Sequence, residues 1–511
     1  MGQGVGLVTC ALLMLGVLAA TQVPVFRLFQ FESQGLSAGS QVSNLNYVGV
    51  HHTKAAEVQR KFVVIRLLEA SKEVIATLIS HKPSGFLVLL PSNHTLTTDQ
   101  RATWKELEDF FGSQTFPFPI YFAWESAELL SLYSELQLHT EEDQNLLNFV
   151  VSTDEKPALR KLTLENIHGF VLEYAESLPS IALVAHYDAF SVIPELTYGL
   201  NDNGSGIIAL LELARIFHKL YSQNAPSYNL LLLLTSAGTL NFEGARQWLN
   251  SEDAEIAQIV GNIQFALSLD TIGSSGGLTV HVSRFQKEGE MEVTRFYTAL
   301  NTTANLTNFP LTYAKKKINV ADSFVPWQHE NFARRKVVGA TLSSLEVPRT
   351  RILDHSDIFD THIDYEALER NIRFVAEVTA KCIYAAEEKP GLLLYEKQDL
   401  VKREKLEELG QKISNSTRYP AKLTPGAGIT DLLVANLQNY TGKSLKKKAF
   451  PLDDTILYGS KPETLNIYRV KPPILEFYIF LGVLGYLAAL WVGIGLCSRM
   501  TLVGKAKPKT H

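Results

Sequence analysis

Cysteine is scarce in this sequence. The 511 residues contain three cysteines, and two of them, Cys10 and Cys497, lie in apolar stretches at the two ends of the chain. Only Cys382 lies between those stretches, so the intervening chain cannot form an internal disulfide. This excludes a small disulfide-stabilised scaffold. The folded part of the protein must therefore depend on a hydrophobic core.

An excess of positive charge is also absent. The chain has 48 Lys and Arg residues against 53 Asp and Glu residues, which gives a net charge of −5. Nucleic-acid-binding domains usually have a basic excess, so we expect no nucleic-acid partner. Hydrophobic residues make up 46% of the chain and charged residues 20%, and this composition excludes extended disorder.

An apolar run near the N-terminus resembles a signal peptide. Residues 5–20 are apolar and end with Ala19 and Ala20, as a signal-peptidase site requires, although no Lys or Arg precedes Arg27. The run is shorter than the ~20 residues that a membrane span needs. We therefore predict a cleaved signal peptide over residues 1–20. An uncleaved anchor and a buried helix are the alternatives.

A second apolar run lies near the C-terminus. Residues 477–497 include no charged side chain, and as a helix they would extend about 32 Å, which matches the hydrocarbon core of a bilayer. The residues that follow carry four basic and no acidic side chains: Arg499, Lys505, Lys507 and Lys509. By the positive-inside rule, the tail (498–511) is cytosolic and the preceding chain luminal. We predict a transmembrane helix over residues 474–497 and single-pass type I topology.

Two short patterns indicate the endoplasmic reticulum. Lys507 and Lys509 are the fifth and third residues from the C-terminus, as in dilysine retrieval signals; alternatively they only fix the topology. Asn-x-Ser/Thr triplets mark acceptor sites for N-glycosylation in a luminal chain. Five are candidates for modification: Asn93, Asn301, Asn305, Asn415 and Asn439. The sixth, Asn203, is the least suited, because it lies at a helix start facing a predicted cleft.

Apolar strands and amphipathic helices alternate through most of the chain. Strands are predicted at 86–90, 118–123, 181–185, 230–234 and 265–269, and helices at 99–111, 206–221 and 366–385. This pattern predicts an α/β fold with a mixed sheet sandwiched by helices. We divide the luminal part into an N-terminal α/β region (21–150), a second α/β domain (151–390) and a charged, solvated membrane-proximal stalk (391–473).

Polar residues of metal-binding type follow the strands of the second domain. His186 comes after the strand at 181–185, Asp270 after the strand at 265–269, and Asp202 shortly before the helix at 206–221. In open α/β sheets, sites form beyond the carboxyl ends of the strands. Singly, each has a structural alternative: Asp202 as a helix cap, Asp270 as a turn residue, His186 as a buried histidine. Together they predict a site.

The residues around these positions resemble the co-catalytic zinc aminopeptidases over about residues 181–385. The matching motifs are His186-Tyr187-Asp188, Asp202-Asn203-Gly204-Ser205-Gly206 and Asp270-Thr271-Ile272-Gly273. The resemblance implies an aminopeptidase-like fold in which His186, Asp202 and Asp270 bind one metal. A second metal would use Asp202, a glutamate and a late histidine. His355 is the best candidate for that histidine, and His329 is a weaker alternative.

The sequence departs from those enzymes at a Glu–Glu pair that supplies the general base and one ligand. The corresponding residues here are Gly238 and Thr239. Glycine cannot accept a proton, and threonine is a poor zinc ligand. Loss of a general base alone typically costs ~10²–10⁴ in rate. We therefore expect the protein to have no enzymatic activity and no cofactor. At most one residual zinc ion could bind. The alternative is an active luminal zinc aminopeptidase with a rebuilt base, Glu243 or Asp188.

The chain as a whole resembles the nicalin family, distant relatives of nicastrin that lack the Glu pair. The resemblance is carried by residues 185–190 (Ala-His-Tyr-Asp-Ala-Phe), 210–215 and 468–472. It implies a non-catalytic scaffold in the endoplasmic reticulum membrane. Its implied partners are Nodal modulator, a small multipass membrane protein and the Sec61 translocon, beside which the complex assists insertion of multipass membrane proteins. A luminal peptide-binding receptor is a further alternative.

Overall fold

The computed structural model describes residues 21–33, 36–93, 95–138, 146–151, 159–172, 175–284, 291–319, 321–355, 357–386, 391–423, 428–458, 463–470 and 473–503. The predicted signal peptide lies outside the described residues, and so do Lys507 and Lys509 of the predicted retrieval signal.

The described residues form strands and helices that alternate over most of the chain. The strands are β1 Thr21–Arg27, β2 Gln30–Ser33, β3 Leu36–Ser40, β4 Leu45–His51, β5 Phe62–Arg66, β6 Gly85–Leu90, β7 Thr115–Phe116, β8 Ile120–Trp124, β9 Leu146–Val151, β10 Leu159–Phe170, β11 Ser180–His186, β12 Asn229–Thr235, β13 Ile263–Asp270, β14 Leu278–Val282, β15 Leu311–Lys315, β16 Val338–Ser343, β17 Lys446–Tyr458 and β18 Glu463–Val470. The α-helices are α1 Lys72–Ser80, α2 Thr98–Gly112, α3 Ala127–Leu138, α4 Gly204–Gln223, α5 Glu243–Leu249, α6 Ala254–Asn262, α7 Met291–Thr307, α8 His329–Arg334, α9 Tyr365–Ile383, α10 Arg403–Ser414, α11 Gly428–Thr441 and α12 Pro473–Val503.

The N-terminal strands and one C-terminal strand close into a barrel. Its order is β1-β18-β9-β4-β5-β6-β8, and β1 joins the ends by pairing with both β18 and β8. The barrel interior is filled by apolar and aromatic side chains, including Phe62, Leu87 and Tyr121, so it is a packed core. Because Thr21 pairs with Ile467, the first described strand and the last strand before α12 meet in this barrel.

The larger body contains an 11-stranded mixed sheet with the order β15-β14-β16-β13-β11-β12-β10-β17-β2-β3-β7. At its centre β11 pairs in parallel with β12 and with β13, and β13 pairs in parallel with β16. Every residue of β11 and β12 is buried. Helices such as α4 and α9 bury apolar faces in the same core. The predicted α/β fold with a helix-covered mixed sheet is confirmed.

The predicted stalk at 391–473 is wrong. Strand β17 lies inside the main sheet, where it pairs with β10 and β2, and β18 belongs to the barrel. Phe450, Leu452 and Leu457 of β17 are buried in the main core. The sequence of this strand suggests a solvated segment because it begins with three lysines. All three, however, pair with acidic residues: Lys446 with Glu255, Lys447 with Asp431, and Lys448 with Asp253. This segment is therefore part of the folded body.

Helix α12 follows the barrel almost directly. Its segment Phe477–Gly495 has a mean hydropathy of 2.1, is not buried in the rest of the chain, and is long and apolar enough to cross a membrane. Within the described residues it is the one helix with these properties. Val470 ends β18 and Pro473 begins α12, so two residues separate the barrel from this helix.

Candidate functional site

Three of the predicted metal-binding residues converge at the carboxyl edge of the central strands. His186 ends β11, Asp202 precedes α4, and His355 ends a short 3-10 helix. One potential ligand atom from each lies within 4.8 Å of the others. The His355 Nδ1 atom is 3.5 Å from Asp202 Oδ2, and the two imidazole rings are 6.0 Å apart at their centroids.

His186 is fully buried and carries no charge at neutral pH. Burial lowers the pKa of His186 to about 4, against the raising effect of nearby Asp188 and Asp270. Neither of its ring nitrogens has a hydrogen-bond partner in the described part of the chain. The His355 Nδ1 atom is likewise buried without a hydrogen bond. One nitrogen atom of each imidazole thus lies within 4.8 Å of the other and of an Asp202 oxygen.

Arg349, which the sequence did not single out, lies between the two aspartates of the site. Its Nη1 atom is 2.9 Å from Asp270 Oδ2 and 3.1 Å from Asp270 Oδ1, and its Nη2 atom is 2.5 Å from Asp202 Oδ1. Thr271 adds a hydroxyl group 3.0 Å from Nη2. The Arg349 side chain is only 5% exposed. A guanidinium group thus binds the carboxylates that the resemblance assigned to a metal ion.

This ion pair sets the charge of the site. Burial raises the pKa of Asp202, but the Arg349 guanidinium and His355 outweigh it, so the pKa of Asp202 lies below its usual value. The pKa of Asp270 is lowered in the same way, because Arg349 and His186 outweigh burial. Burial lowers the pKa of Arg349, yet the two carboxylates raise it overall. Both aspartates are therefore ionised, and one arginine neutralises part of their charge.

Gly238 and Thr239 form a binding site for the Asp188 carboxylate. The backbone N–H groups of Gly238 and Thr239 donate to Asp188 over 2.7 and 2.9 Å, and the Thr239 hydroxyl donates to the same carboxylate. A Cβ atom placed on Gly238 would overlap the ring of His186. The positions of the missing Glu pair are therefore filled by a hydrogen-bonded turn that packs against His186.

Asp188 and Glu243, the two alternatives for a rebuilt general base, already accept hydrogen bonds from neighbouring groups. Asp188 accepts the three hydrogen bonds from Gly238 and Thr239. Glu243 accepts two hydrogen bonds of 2.6 Å from Arg246 at the start of α5 and another from Gln247. A carboxylate bound in this way is poorly placed to accept a proton from a water molecule.

His329, the alternative late histidine, belongs to a different hydrogen-bond network. Its Nδ1 atom lies 2.9 Å from Thr341 Oγ1, and its Nε2 atom lies 3.1 Å from Ser283 Oγ. Burial lowers the pKa of His329 to about 3. Both ring nitrogens are satisfied by hydroxyl groups, so of the two candidates His355 is the one placed beside His186 and Asp202.

The turn that carries Asp202 is fixed by a buried carboxyl group. Asp360 accepts the backbone N–H groups of Asn201 and Asp202, the latter over 2.6 Å. Burial raises the pKa of Asp360 to about 7. The adjacent Asn203 begins α4 in a left-handed conformation, and its Nδ2 group donates to the backbone carbonyl of His186. Asn203 is fully buried, whereas the other five candidate glycosylation sites are exposed.

A second buried arginine comes from the segment predicted to be a stalk. Arg418 donates to the backbone carbonyls of Tyr187 over 3.0 Å, Tyr198 over 2.9 Å and Asp202 over 3.2 Å, and to that of Gly199. Burial lowers the pKa of Arg418 to about 10. The Arg418 side chain thus connects the two ends of the segment that leads from β11 to α4. The site depends structurally on residues beyond 391.

These residues do not fit a pair of zinc ions. At the first metal position the guanidinium of Arg349 binds the carboxylates of Asp202 and Asp270. At the second metal position, Thr239 stands where a ligand is expected, and its hydroxyl donates to Asp188. The donor set that is left, His186, Asp202 and His355, has three ligands for a single ion. Such an ion would share Asp202 with Arg349, and like charges so close repel.

Comparison with known proteins places the chain in a family. The model of Peptidase family M28 matches residues 169–379. A Danio rerio protein described as BOS complex subunit ncln is 32% identical over 522 residues, which cover 93% of this chain and 90% of that protein. A Caenorhabditis elegans protein named Nicalin is 25% identical over 536 residues, covering 96% and 92%. The chain belongs to the nicalin family.

The fold of this nicalin family member is also that of nicastrin. The crystal structure of the gamma-secretase component Nicastrin matches with a TM-score of 0.62 and covers 88% of this chain and 99% of that chain. Sequence identity is 10%, so the match shows a shared fold alone.

The sequence contained little information about the two buried arginines of this family member. Arg349 lies in the segment Val347-Pro348-Arg349-Thr350-Arg351, whose proline and charges are typical of a solvated loop. The usable signal was indirect. Two aspartates at one edge of the sheet, Asp270 at a strand end and Asp202 at a helix entrance, require a cation. A basic residue in a loop at the same edge is the simplest source.

Proposed function

We propose that this chain is a non-catalytic, membrane-anchored scaffold subunit of an endoplasmic reticulum complex that assists insertion of multipass membrane proteins at the Sec61 translocon. The proposal rests on family membership, because the Danio rerio relative that matches 93% of the chain is described as a BOS complex subunit. The inferred partners are Nodal modulator and a small multipass membrane protein.

The observation that supports a non-catalytic role is the Arg349 bridge. In a metal-dependent hydrolase, the carboxylates of the site hold the ions that activate water and stabilise the developing charge. Here those carboxylates, Asp202 and Asp270, are bound by a guanidinium group, which can neither activate a water molecule as a metal does nor accept a proton. The side chains of a general base and a second ligand are missing at Gly238 and Thr239.

Membrane anchoring is supported by α12, and the luminal orientation by the charges that follow it. The segment Phe477–Gly495 is apolar and unburied. Arg499 and three lysines follow this segment, which favours a cytosolic tail. Five Asn-x-Ser/Thr sites lie on exposed surfaces of the body that would be luminal. Lys507 and Lys509 would then return the protein to the endoplasmic reticulum.

The test is purification of the tagged full-length chain from detergent-solubilised microsomes, followed by identification of bound proteins. We expect Nodal modulator, a small multipass protein and Sec61 subunits at comparable amounts. The control is a chain in which an unrelated transmembrane helix replaces α12. The proposal is contradicted if the chain is recovered alone and hydrolyses amino-acid anilides at a rate that chelators abolish.

A further inference from the structure

The barrel cannot lie far from the membrane that α12 would cross. From Val470 to Pro473 there are three Cα steps, which span at most about 11 Å. From Pro473 to Phe477, where the apolar segment begins, the helix rises about 6 Å. The end of β18 therefore lies within about 17 Å of the hydrocarbon, and the headgroup layer occupies roughly 5–8 Å of that distance.

Strand pairing and one ion pair define which other residues lie at this end of the barrel. Leu146, the first residue of β9, pairs with Val470. Arg469 binds Glu135 of α3 through two contacts of 2.5 and 2.7 Å. Leu138, the last residue of α3, follows Glu135 by three residues, or less than one helical turn. The end of α3 is therefore fixed beside the end of β18.

The side chains at this end have the composition of a membrane interface. Leu138 is 81% exposed and Tyr468 is 38% exposed. Two basic residues accompany them: Arg469, and Lys54, whose Nζ atom donates to the carbonyl of Leu136 over 2.9 Å. Apolar tips, tyrosines and basic side chains are enriched where proteins meet lipid headgroups.

We propose that this membrane-proximal end of the barrel, defined by Leu138, Tyr468 and Arg469, lies against the lipid headgroup layer, with the Leu138 side chain inserted between the headgroups. The inference rests on α12 crossing a bilayer, as in the proposed function. It adds that the luminal body is held upright on the membrane by direct lipid contact as well as by its anchor. The larger sheet would then extend away from the bilayer and be available to other proteins.

The test uses an environment-sensitive fluorophore on single cysteines of the full chain in nanodiscs, with one chain per disc. The native cysteines are replaced, and the cysteine is introduced by Leu138→Cys, by Leu306→Cys or by Leu484→Cys. Leu306 is 47% exposed near the end of α7, which leads to β15 at the far edge of the main sheet. Leu484 lies in the apolar segment of α12. Quenching by spin-labelled lipids is then measured at each position.

We expect lipid quenching at positions 138 and 484 and none at 306. If position 484 is quenched and position 138 is not, the proposal is wrong although the anchor inserts. If position 138 escapes the lipid quencher and is also shielded from aqueous iodide, a protein surface covers this end, which also overturns it. If position 484 is not quenched, α12 does not span the disc, and the anchoring part of the proposed function fails with it.

Discussion

The Nη1 atom of Arg349 lies 2.9 Å from Oδ2 of Asp270, at the carboxyl end of a strand in the centre of the sheet. The other nitrogen of the same guanidinium binds Asp202, which precedes the central helix. One side chain from a loop after β16 thus bridges the carboxylates of two neighbouring elements, the end of β13 and the entrance of α4.

Replacing Arg349 with methionine should destabilise the protein strongly. The change leaves two buried carboxylates without their cation, and removal of one partner from a buried ion pair costs about 3–5 kcal/mol. The free energy of unfolding can be measured by chemical denaturation of the full chain in detergent. Asp270→Asn combined with Arg349→Met should be less destabilised than Arg349→Met alone, because one of the unpaired charges is removed.

The matched control is Arg351→Met, two residues further along the same loop. Arg351 pairs with Asp109 and Asp354 but is about half exposed, and surface pairs contribute only ~0–1 kcal/mol. Equal losses of stability for the variants at 349 and 351 would show that the buried bridge has no special role.

Adding a methyl group at Gly238 should also destabilise the site. A Cβ atom there overlaps the His186 ring, so Gly238→Ala must displace that ring at a cost of about 1–3 kcal/mol. In the background of His186→Gly the same change should cost less, because the Cβ, Cγ and Cδ2 atoms of His186 that a Cβ atom on residue 238 would overlap are then all absent. Gly261→Ala on α6 is the control, since a Cβ atom there meets no other atom within 4 Å. A neutral Gly238→Ala change in both backgrounds would contradict the geometry.

The contact between Gly238 and His186 also affects any variant in which a Glu pair is introduced at positions 238 and 239. Restoring Glu at positions 238 and 239 requires the His186 ring to move before any metal can bind, because the new side chain begins where the ring lies. Arg349 would have to leave as well. Restoration of the Glu pair alone is therefore a weak test of the relation to zinc aminopeptidases. The stabilities of the Arg349 and Gly238 variants are a sharper test of the site.

A fragment of residues 21–390 should not fold. It lacks β17, which pairs with β10 and β2, and also Arg418, whose guanidinium connects the loops around the site. It also lacks β18, without which the barrel is open. A fragment of residues 21–470 is the control and should show a cooperative thermal transition. A cooperative transition in the shorter fragment would support the stalk that the sequence predicted.

Glu330 should make stability depend on pH. Burial raises the pKa of Glu330 to about 7, against the lowering effect of Lys316 and Arg334, whereas an unfolded glutamate titrates near ~4.3. Between these values the folded state holds a proton that the unfolded state has lost, so this group's contribution to stability falls as pH rises from about 4.5 to 7 and is constant above.

The variant Glu330→Gln keeps the shape of the protonated side chain and cannot titrate. Its melting temperature should exceed that of the native chain at pH 8 by more than it does at pH 5. Glu366→Gln, at a side chain that is 83% exposed, should show no such difference between the two pH values. A pH-independent effect at position 330 would mean that its carboxyl group is ionised in the folded state.

The parts of the fold that the sequence predicted share one physical cause. Strands β11, β12 and β13 are covered on both faces, so they are continuous apolar runs that short-range patterns reveal. Helix α4 shows its apolar face in the same way. Because such strands end at one edge of the sheet, the proximity of His186 and Asp202 also followed from the pattern.

The missed parts depend on contacts between residues far apart in sequence. Strand β17 pairs with β10, with Leu162 opposite Leu452, and its lysines hide the alternation of its apolar side chains. Arg349 and Arg418 lie in polar loops and become buried only because carboxylates or carbonyl groups from other elements surround them. No local pattern separates such an arginine from one in solvent.

The most direct test of the central claim is the zinc content of the native full-length chain, purified without chelators and analysed by mass spectrometry of the metal. We expect no zinc above background, because the guanidinium of Arg349 already binds both Asp202 and Asp270. We also expect that added zinc does not raise the melting temperature, since an ion that bound the folded state would stabilise it. About one zinc ion per chain, lost in His186→Ala, would contradict the claim that the arginine has taken the place of the metal.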